Sequence, residues 1–426
     1  MHAMTDIYFI HKLFFIETVM RESDQSKYVL KISAIILIIV FFLNACDKQE
    51  NKKPLVNTPY VTFTTGHEAS VVIGQTDFVS KGVGLSDTQL NAPYTNSFVA
   101  DDGTFYIPDW LNNRILMFDS IPVSNGATAS MVIGQPDFTT SINTGASATQ
   151  FYGPVSPVEY ENKLYVLGWQ HSRLAIFNTV PTISPGTIDV VLGQQDKVTS
   201  GPNCNATGLN KPESLWIVGG KLFIADGLNH RVLIWNTIPT LDNTPADYVL
   251  GQFDMESCEA NGGSVVGPGT FNFPTAVWSD GDRIVVSDSS NNRVLIWNSF
   301  PSINGQDADI VLGQADFFSN AANRGTSAGS NTLHKPYEGL HVANNQLFVA
   351  DELNNRVLIW NSFPTESGQA ADVVIGQNDF TSTTTGITST TLDRPNGVFL
   401  YNDQLIVTDG YNHRVLVYSG EWSDHF

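Results

Sequence analysis

The residues with chemistry in them recur along the chain. Asp226, Asn229 and Arg231 stand at the spacing D-x-x-N-x-R, and the spacing returns at Asp109 and Arg114, Asp288 and Arg293, Asp351 and Arg356, and Asp409 and Arg414. A carboxylate and a guanidinium five residues apart suit a tight hairpin. The Asp ends one strand, the Asn tolerates the left-handed turn, and the Arg opens the next strand. The two charges then neutralise each other across the turn. Chemistry written five times is structural, because a catalytic centre is not normally copied around a scaffold. The recurring Asp of Gly-Gln-x-Asp (Asp77, Asp137, Asp196, Asp254, Asp316 and Asp379) is read the same way.

Signatures of catalysis are missing. There is no H-E-x-x-H and no P-loop, so zinc-protease and nucleotide-phosphate chemistry have no anchor. The histidines His67, His171, His230, His334, His341, His413 and His425 scatter over different repeats. His230 and His413 take the turn position of the motif and read as structural. His341 aligns with Trp216, Trp278 and Phe399, which marks it as packed or facing a channel.

Composition narrows the partners. The net charge is −20, and only 15% of the 426 residues are charged. The motif consumes six arginines, Arg173 included, which leaves no basic stripe to neutralise phosphates and argues against nucleic acid. Protein, peptide or glycan partners fit better. At the N-terminus, Lys27 and Lys31 precede "ISAIILIIVFFLNAC". Its apolar run of about a dozen residues has the length of a signal h-region and is too short to span a bilayer. Leu43-Asn44-Ala45-Cys46 resembles a bacterial lipobox, which implies cleavage before Cys46 and lipid on its sulfur. Residues 1–45 are therefore expected to be a signal segment, with Met20 a better start than Met1 or Met4. Residues 46–60 are expected to be a polar tether, and 61–426 the folded domain. The envelope location that follows, periplasmic or cell-surface, is oxidising and leaves Cys204 and Cys258 free to pair.

The elements that must carry these residues repeat every 58 to 63 positions, as the marker Gly-Gln shows at Gly74, Gly134, Gly193, Gly251, Gly313 and Gly376. Each unit opens on a Pro (Pro93, Pro154, Pro212, Pro274, Pro336, Pro395). A strand such as "ESLWIV", a second such as "LFIADG", the motif turn, a strand such as "RVLIW" and a closing "DIVLGQADF" follow. Runs of four to six β-branched and aromatic residues bounded by turn signals predict strands, and no sustained 3.6-residue apolar period predicts helix after Cys46. Four strands, six times, predict an all-β six-bladed β-propeller. The lone fourth strand at Val71 should complete the last blade beside Val415–Tyr418. Trp235, Trp297 and Trp360 are expected in the core between blades.

Six repeats carrying D-x-x-N-[NH]-R-[VIL] at the second turn resemble the NHL-repeat family of propellers over residues 70 to 418, with five copies intact. The resemblance implies the fold and little about activity. Peptide-amidating lyases and gluconolactonases, propellers similar to this one, hold a channel metal with His or carboxylates. Here Glu213, Glu338, Glu159 and His341 are the side chains available, and their spacing is no signature, so neither metal nor cofactor is expected.

Differences between copies point to a binding rim. In the second copy, "VLGWQHSRL", Gly168 replaces the Asp, so Arg173 is expected to lose its partner and serve as a polar anchor. Trp110, Trp169 and Tyr411 are assigned to one motif position in three blades that ring closure makes contiguous. Residues after each Pro (Tyr94, Val155, Glu213, Thr275, Tyr337, Asn396) should ring the channel mouth, with Tyr94, Tyr337 and Asn396 as further ligand candidates. Loops rich in Ser, Thr, Asn and Gly emerge on the same rim. Those entering the third and fourth blades carry Cys204 and Cys258, within reach of a disulfide. The expected protein is a monomeric, lipid-anchored binding or scaffold module; the alternative is a channel-centred hydrolase or lyase.

Overall fold

Apolar runs become strands here because both faces of each small sheet are covered by the neighbouring sheets. The computed structural model describes residues 59–423; the signal segment, Cys46 and residues 47–58 of the expected tether lie outside them. Six antiparallel four-stranded sheets form a six-bladed β-propeller. Blade III shows the unit: Pro212–Val218, Lys221–Asp226, Arg231–Trp235 and Tyr248–Leu250. Every residue of Arg231–Trp235 is buried, and Trp235, Trp297 and Trp360 lie in cores built from two neighbouring blades. Among the described residues helix is limited to short 3-10 turns, most of them at the motif.

The ring closes with strands from opposite ends of the domain. Val71–Ile73 pairs antiparallel with Arg414–Ser419, Val71 opposite Val417 and Ile73 opposite Val415. A second clasp, not foreseen in the sequence, pairs Val61 with Trp422 and Thr62 with Glu421. It is extended by Ser423 N–H donating to the Tyr60 carbonyl. Backbone pairing over more than 340 residues of sequence completes the sixth blade, whose outer edge is then the three-residue strand Val71–Ile73.

Each complete motif is a buried knot. Arg231 Nε donates to Asp226 Oδ2 at 2.9 Å, and Asn229 Nδ2 donates to the same oxygen at 2.8 Å. The second Asp oxygen accepts the Asn210 amide at 2.6 Å. Arg231 also donates to the carbonyls of Met255, Asn205 and Gly208, which fixes the loops before and after the blade. The pattern repeats around Arg114, Arg293, Arg356 and Arg414, and in all five pairs both side chains are fully buried. The Gly-Gln marker has an equally local cause. Gly251 sits at φ +89, and a Cβ there would fall 2.1 Å from Phe271. Gln252 Nε2 donates to the His230 and Glu259 carbonyls. The following Asp of each marker folds an Asx turn, as Asp254 Oδ1 does with the Glu256 amide at 3.1 Å.

The motif turn also latches blade to blade. Its last residue is left-handed in every copy (Asn113, Ser172, His230, Asn292, Asn355, His413; φ +51 to +55). Its side chain accepts the amide of the residue before the next blade's Pro. Asn113 accepts from Gly153, His230 Nδ1 from Phe273, Asn292 from Lys335, Asn355 from Arg394, and His413 Nδ1 from Ala92. Ser172 accepts from Lys211 at 3.3 Å. The position needs a residue that tolerates the left-handed region and also offers an acceptor. Asn does both, His accepts through its ring nitrogen, and Gly would do only the first.

Breaking one knot should unsettle a whole blade. Arg293→Met strands the fully buried Asp288 carboxylate and is expected to cost about 3–5 kcal/mol in urea unfolding. Adding Asp288→Asn should recover part of that loss. Equal losses in the single and double variants would show that the charge pair is not the source of the stability.

Candidate functional site

Two positions in each blade bring side chains to one mouth of the channel. The residue before each Pro adopts φ +48 to +63 (Ala92, Gly153, Lys211, Phe273, Lys335, Arg394), held there by the latch just described. The other position is the first residue of the motif turn: Trp110, Trp169, Gly227, Ser289, Glu352 and Gly410. Residues that follow the Pro fill the space between. Size is matched locally: a Cβ on Gly227 would meet Glu213 Cγ at 2.8 Å, and one on Gly410 would meet Asn396 Nδ2 at 2.5 Å.

The aromatic residues form a continuous group. Tyr94 stacks on Trp110 with centroids 5.1 Å apart, Trp110 meets Trp169 edge-on at 5.8 Å, and Tyr94 meets Tyr337 at 5.7 Å. Phe273 lies 6.1 Å from Tyr337. Lys211 Nζ sits 4.1 Å from the Trp169 ring centroid and Lys335 Nζ 5.3 Å from that of Tyr337. Trp110, Trp169 and Tyr94 are half-buried and pack on the core of blades II and III.

Carboxyl groups lie behind the rings. Glu213 accepts the Trp169 indole N–H at 2.9 Å. Glu213 and Glu338 are both fully buried and close enough for each to act on the other's titration. Burial, then the Glu213 contact and the charges of Glu213 and Glu352, hold the Glu338 carboxyl well above the usual range, so of the two it keeps its proton more tightly. Glu352 is raised by burial and eased by the cations Lys335 and Arg394. Several buried polar atoms here have no hydrogen-bond partner: Trp110 Nε1, Glu213 Oε2, both Glu338 oxygens, Glu352 Oε2 and Asn396 Oδ1. Such atoms are rare in a packed protein because each costs desolvation without return.

Two expected ligand residues are placed elsewhere. Tyr411 is the second residue of its turn, so Gly410 and not Tyr411 corresponds to Trp110 and Trp169. Tyr411 is half exposed, like its counterparts Leu111 and Leu228, and its hydroxyl accepts from Arg394 at 2.9 Å. Arg173 is fully buried and donates to the carbonyls of Lys197, Ser147 and Gln150, so it anchors loops rather than a rim patch. Of the post-Pro ring only Tyr94 is part-exposed; Val155, Glu213, Thr275, Tyr337 and Asn396 are all buried. Cys204 and Cys258 are disulfide-bonded with Cα atoms 6.3 Å apart, tying the loops that enter blades III and IV.

Deeper in the bore, His341 lies 4.3 Å from Phe399 and 5.7 Å from Trp216. Burial pushes its pKa down to about 3, so it is neutral. Among the described residues no three His, Cys, Asp or Glu side chains are arranged to hold a metal ion. Beyond the aromatic plug a cavity of about 830 Å³ opens on the opposite face, lined by Trp216, Phe399, Glu159 and Tyr401 among others.

Neither a family model nor a curated protein matches the chain. Among solved structures it is similar to the computationally designed Ika8 protein, with a TM-score of 0.40 and 10% identity over 83% of this chain and 99% of that one. It is similar also to streptogramin B lyase, with a TM-score of 0.40 and 12% identity over 80% and 96%. At these values neither likeness bears on activity.

The raised Glu338 carboxyl gives a test. Glu338 is raised in the folded state, so the folded protein holds a proton that the unfolded chain releases above its ordinary carboxyl value of 4.5. The stability it contributes is complete below that value and is lost as pH rises toward the raised one. Glu338→Gln keeps a neutral donor beside Glu213. The variant's melting temperature is expected to fall less steeply than that of the wild type between pH 5 and pH 8. Parallel curves would show that Glu338 is not held protonated above its ordinary range.

Proposed function

We propose that the protein is a binding module that holds a neutral, polyhydroxylated ligand of glycan type at the mouth framed by Tyr94, Trp110, Trp169 and Tyr337. The observation that carries this reading is the meeting of stacked rings with unpartnered polar atoms, built from side chains of all six blades. Ring faces suit the C–H faces of a sugar. Hydroxyls donate and accept at once, which suits a mixture of indole N–H, amide oxygen, carboxylate and protonated carboxyl. The charges nearly cancel, Lys211, Lys335 and Arg394 standing against Glu213 and Glu352 with Glu338 neutral. In this proposal the chain is exported, cleaved before Cys46 and lipid-anchored in the envelope, with the propeller presenting its rim to a glycan or a glycosylated partner.

A second reading rests on the Glu213–Glu338 pair. Two neighbouring buried carboxyls, one held in its protonated form, are the equipment of general acid–base chemistry, so a channel-mouth hydrolase or lyase is the alternative.

Glycan-array binding of the processed protein tests the first reading. Trp169→Phe keeps the ring and removes the N–H to Glu213. It is expected to weaken binding by about tenfold, the effect of roughly 1.4 kcal/mol, and to shift melting by only a few degrees. The absence of glycan binding by the wild type, with turnover of a small substrate abolished by Glu338→Gln, would move the assignment to the enzyme. For the anchor, an alkyne-tagged fatty acid fed to producing bacterial cells should label the protein, and Cys46→Ser should abolish the label. Label that survives the substitution would remove the anchor from the proposal.

A further inference from the structure

Blade II breaks the motif in a coordinated way. Gly168 pairs with Arg173 in the same register as Asp226 with Arg231. The terminal nitrogens of Arg173 donate to three loop carbonyls at 2.7 to 2.9 Å, as those of Arg231 do. The guanidinium is therefore seated as in the other blades. Its Nε differs. In the five complete blades that nitrogen lies 2.7 to 2.9 Å from an Asp oxygen, whereas Arg173 Nε has no partner.

His171 stands where the other blades have Asn, whose Nδ2 donates to the same Asp oxygen at 2.7 to 2.9 Å. Both His171 ring nitrogens lack a partner, and the residue is 3% exposed. Its Nδ1 lies 3.8 Å from the point a Cβ on Gly168 would occupy, and no heavy atom comes nearer to that point than 3.5 Å. Tyr152 holds the chain position whose amide donates to the Asp carboxylate elsewhere, as those of Asn91, Asn210, Asn272, His334 and Asp393 do.

We propose that blade II binds a small monovalent anion, a halide or short carboxylate, where the other blades hold their Asp carboxylate, with Arg173 Nε, His171 Nδ1 and the Tyr152 amide as donors. The donors stand where those of the complete motif stand, with His171 in place of the Asn and the acceptor removed. A fully buried guanidinium with no counter-charge is costly, and an anion held by it restores the neutral balance of the sister blades. Burial, then Arg173, pushes His171 down to about 4, so at neutral pH it is an uncharged ring with one N–H to offer. The site bears on the mouth of the channel. Trp169 follows Gly168 directly and donates to Glu213, so the anion steadies the turn that carries this ring.

Thermal unfolding of the processed protein in sodium gluconate, chloride and formate at one ionic strength tests the proposal. Gluconate is too large to enter. Wild type is expected to gain a few degrees, saturably, in chloride, formate or both, and the two arms separate halide from carboxylate selectivity. Gly168→Asp supplies the acceptor covalently and should melt higher than wild type in gluconate with no further gain from either anion. Wild-type crystals grown in bromide should show an anomalous peak beside Arg173 Nε, a readout that does not depend on the variant folding. Identical wild-type melting in all three salts, with only water beside Nε in bromide crystals, would overturn it.

Discussion

The fold depends on a buried guanidinium. Each motif Arg is out of water in a sheet whose faces are both covered, so its charge must be answered inside the blade. Asp answers it in five blades through a hairpin only five residues long. The remaining N–H groups then reach loop carbonyls on either side of the blade, and this turns a local pair into a clamp on long, Gly- and Ser-rich segments that have little core of their own. Such a knot is not worth much in net free energy compared with an apolar substitute. Its value lies in geometry: a planar fork of donors has one seating, and each loop must meet it.

Order then passes from blade to blade through the left-handed turn residue. Holding a residue other than Gly at positive φ before a Pro is strained, at about 1–3 kcal/mol for such conformations. Five of the six blades have such a residue there. Each strained amide is met by the acceptor side chain of the previous turn, which supplies about 0.5–1.5 kcal/mol. Burial of the adjoining strands supplies the remainder. The strain is thus imposed by the same contacts that set the angle between blades, and the mouth is where it collects.

Much of the fold was legible because it is written in periods. Six Gly-Gln markers, six prolines and the unpaired strand at Val71 were enough to give blade number, strand number and the mode of closure. The clasp of Val61 with Trp422 was not legible, since two-residue strands carry no pattern. The mouth was legible only in part. Trp110 and Trp169 stood out as large residues in a turn that is elsewhere small or polar, and their contact follows from blade adjacency. Tyr411 misled because one position in a three-residue turn decides between facing the bore and facing water. Arg173 misled because losing an ion pair looks like exposure in a sequence, whereas the loop carbonyls keep the side chain inside. Glu338 gave a weak signal, as an acidic residue within an otherwise apolar inner strand, and only the fold brings it to Glu213 and to Glu352.

Regularity also explains where variation is tolerated. The latch uses the backbone amide of the pre-Pro residue and leaves its side chain uncommitted, so Ala92, Gly153, Lys211, Phe273, Lys335 and Arg394 share one backbone shape with five different residue types. The first turn residue is free in the same sense, from Gly227 to Trp169, provided its size complements the post-Pro residue beside it. A ring of two such positions per blade gives twelve places at one mouth where chemistry can change without altering the knots or the latches. In blade II the substitution reached the knot itself, and there Gly168 and His171 replace Asp and Asn together. The carboxylate and the Asn that donates to it are thus both absent from this blade, so acceptor and donor differ together at the one knot while the guanidinium keeps its seat on the loop carbonyls.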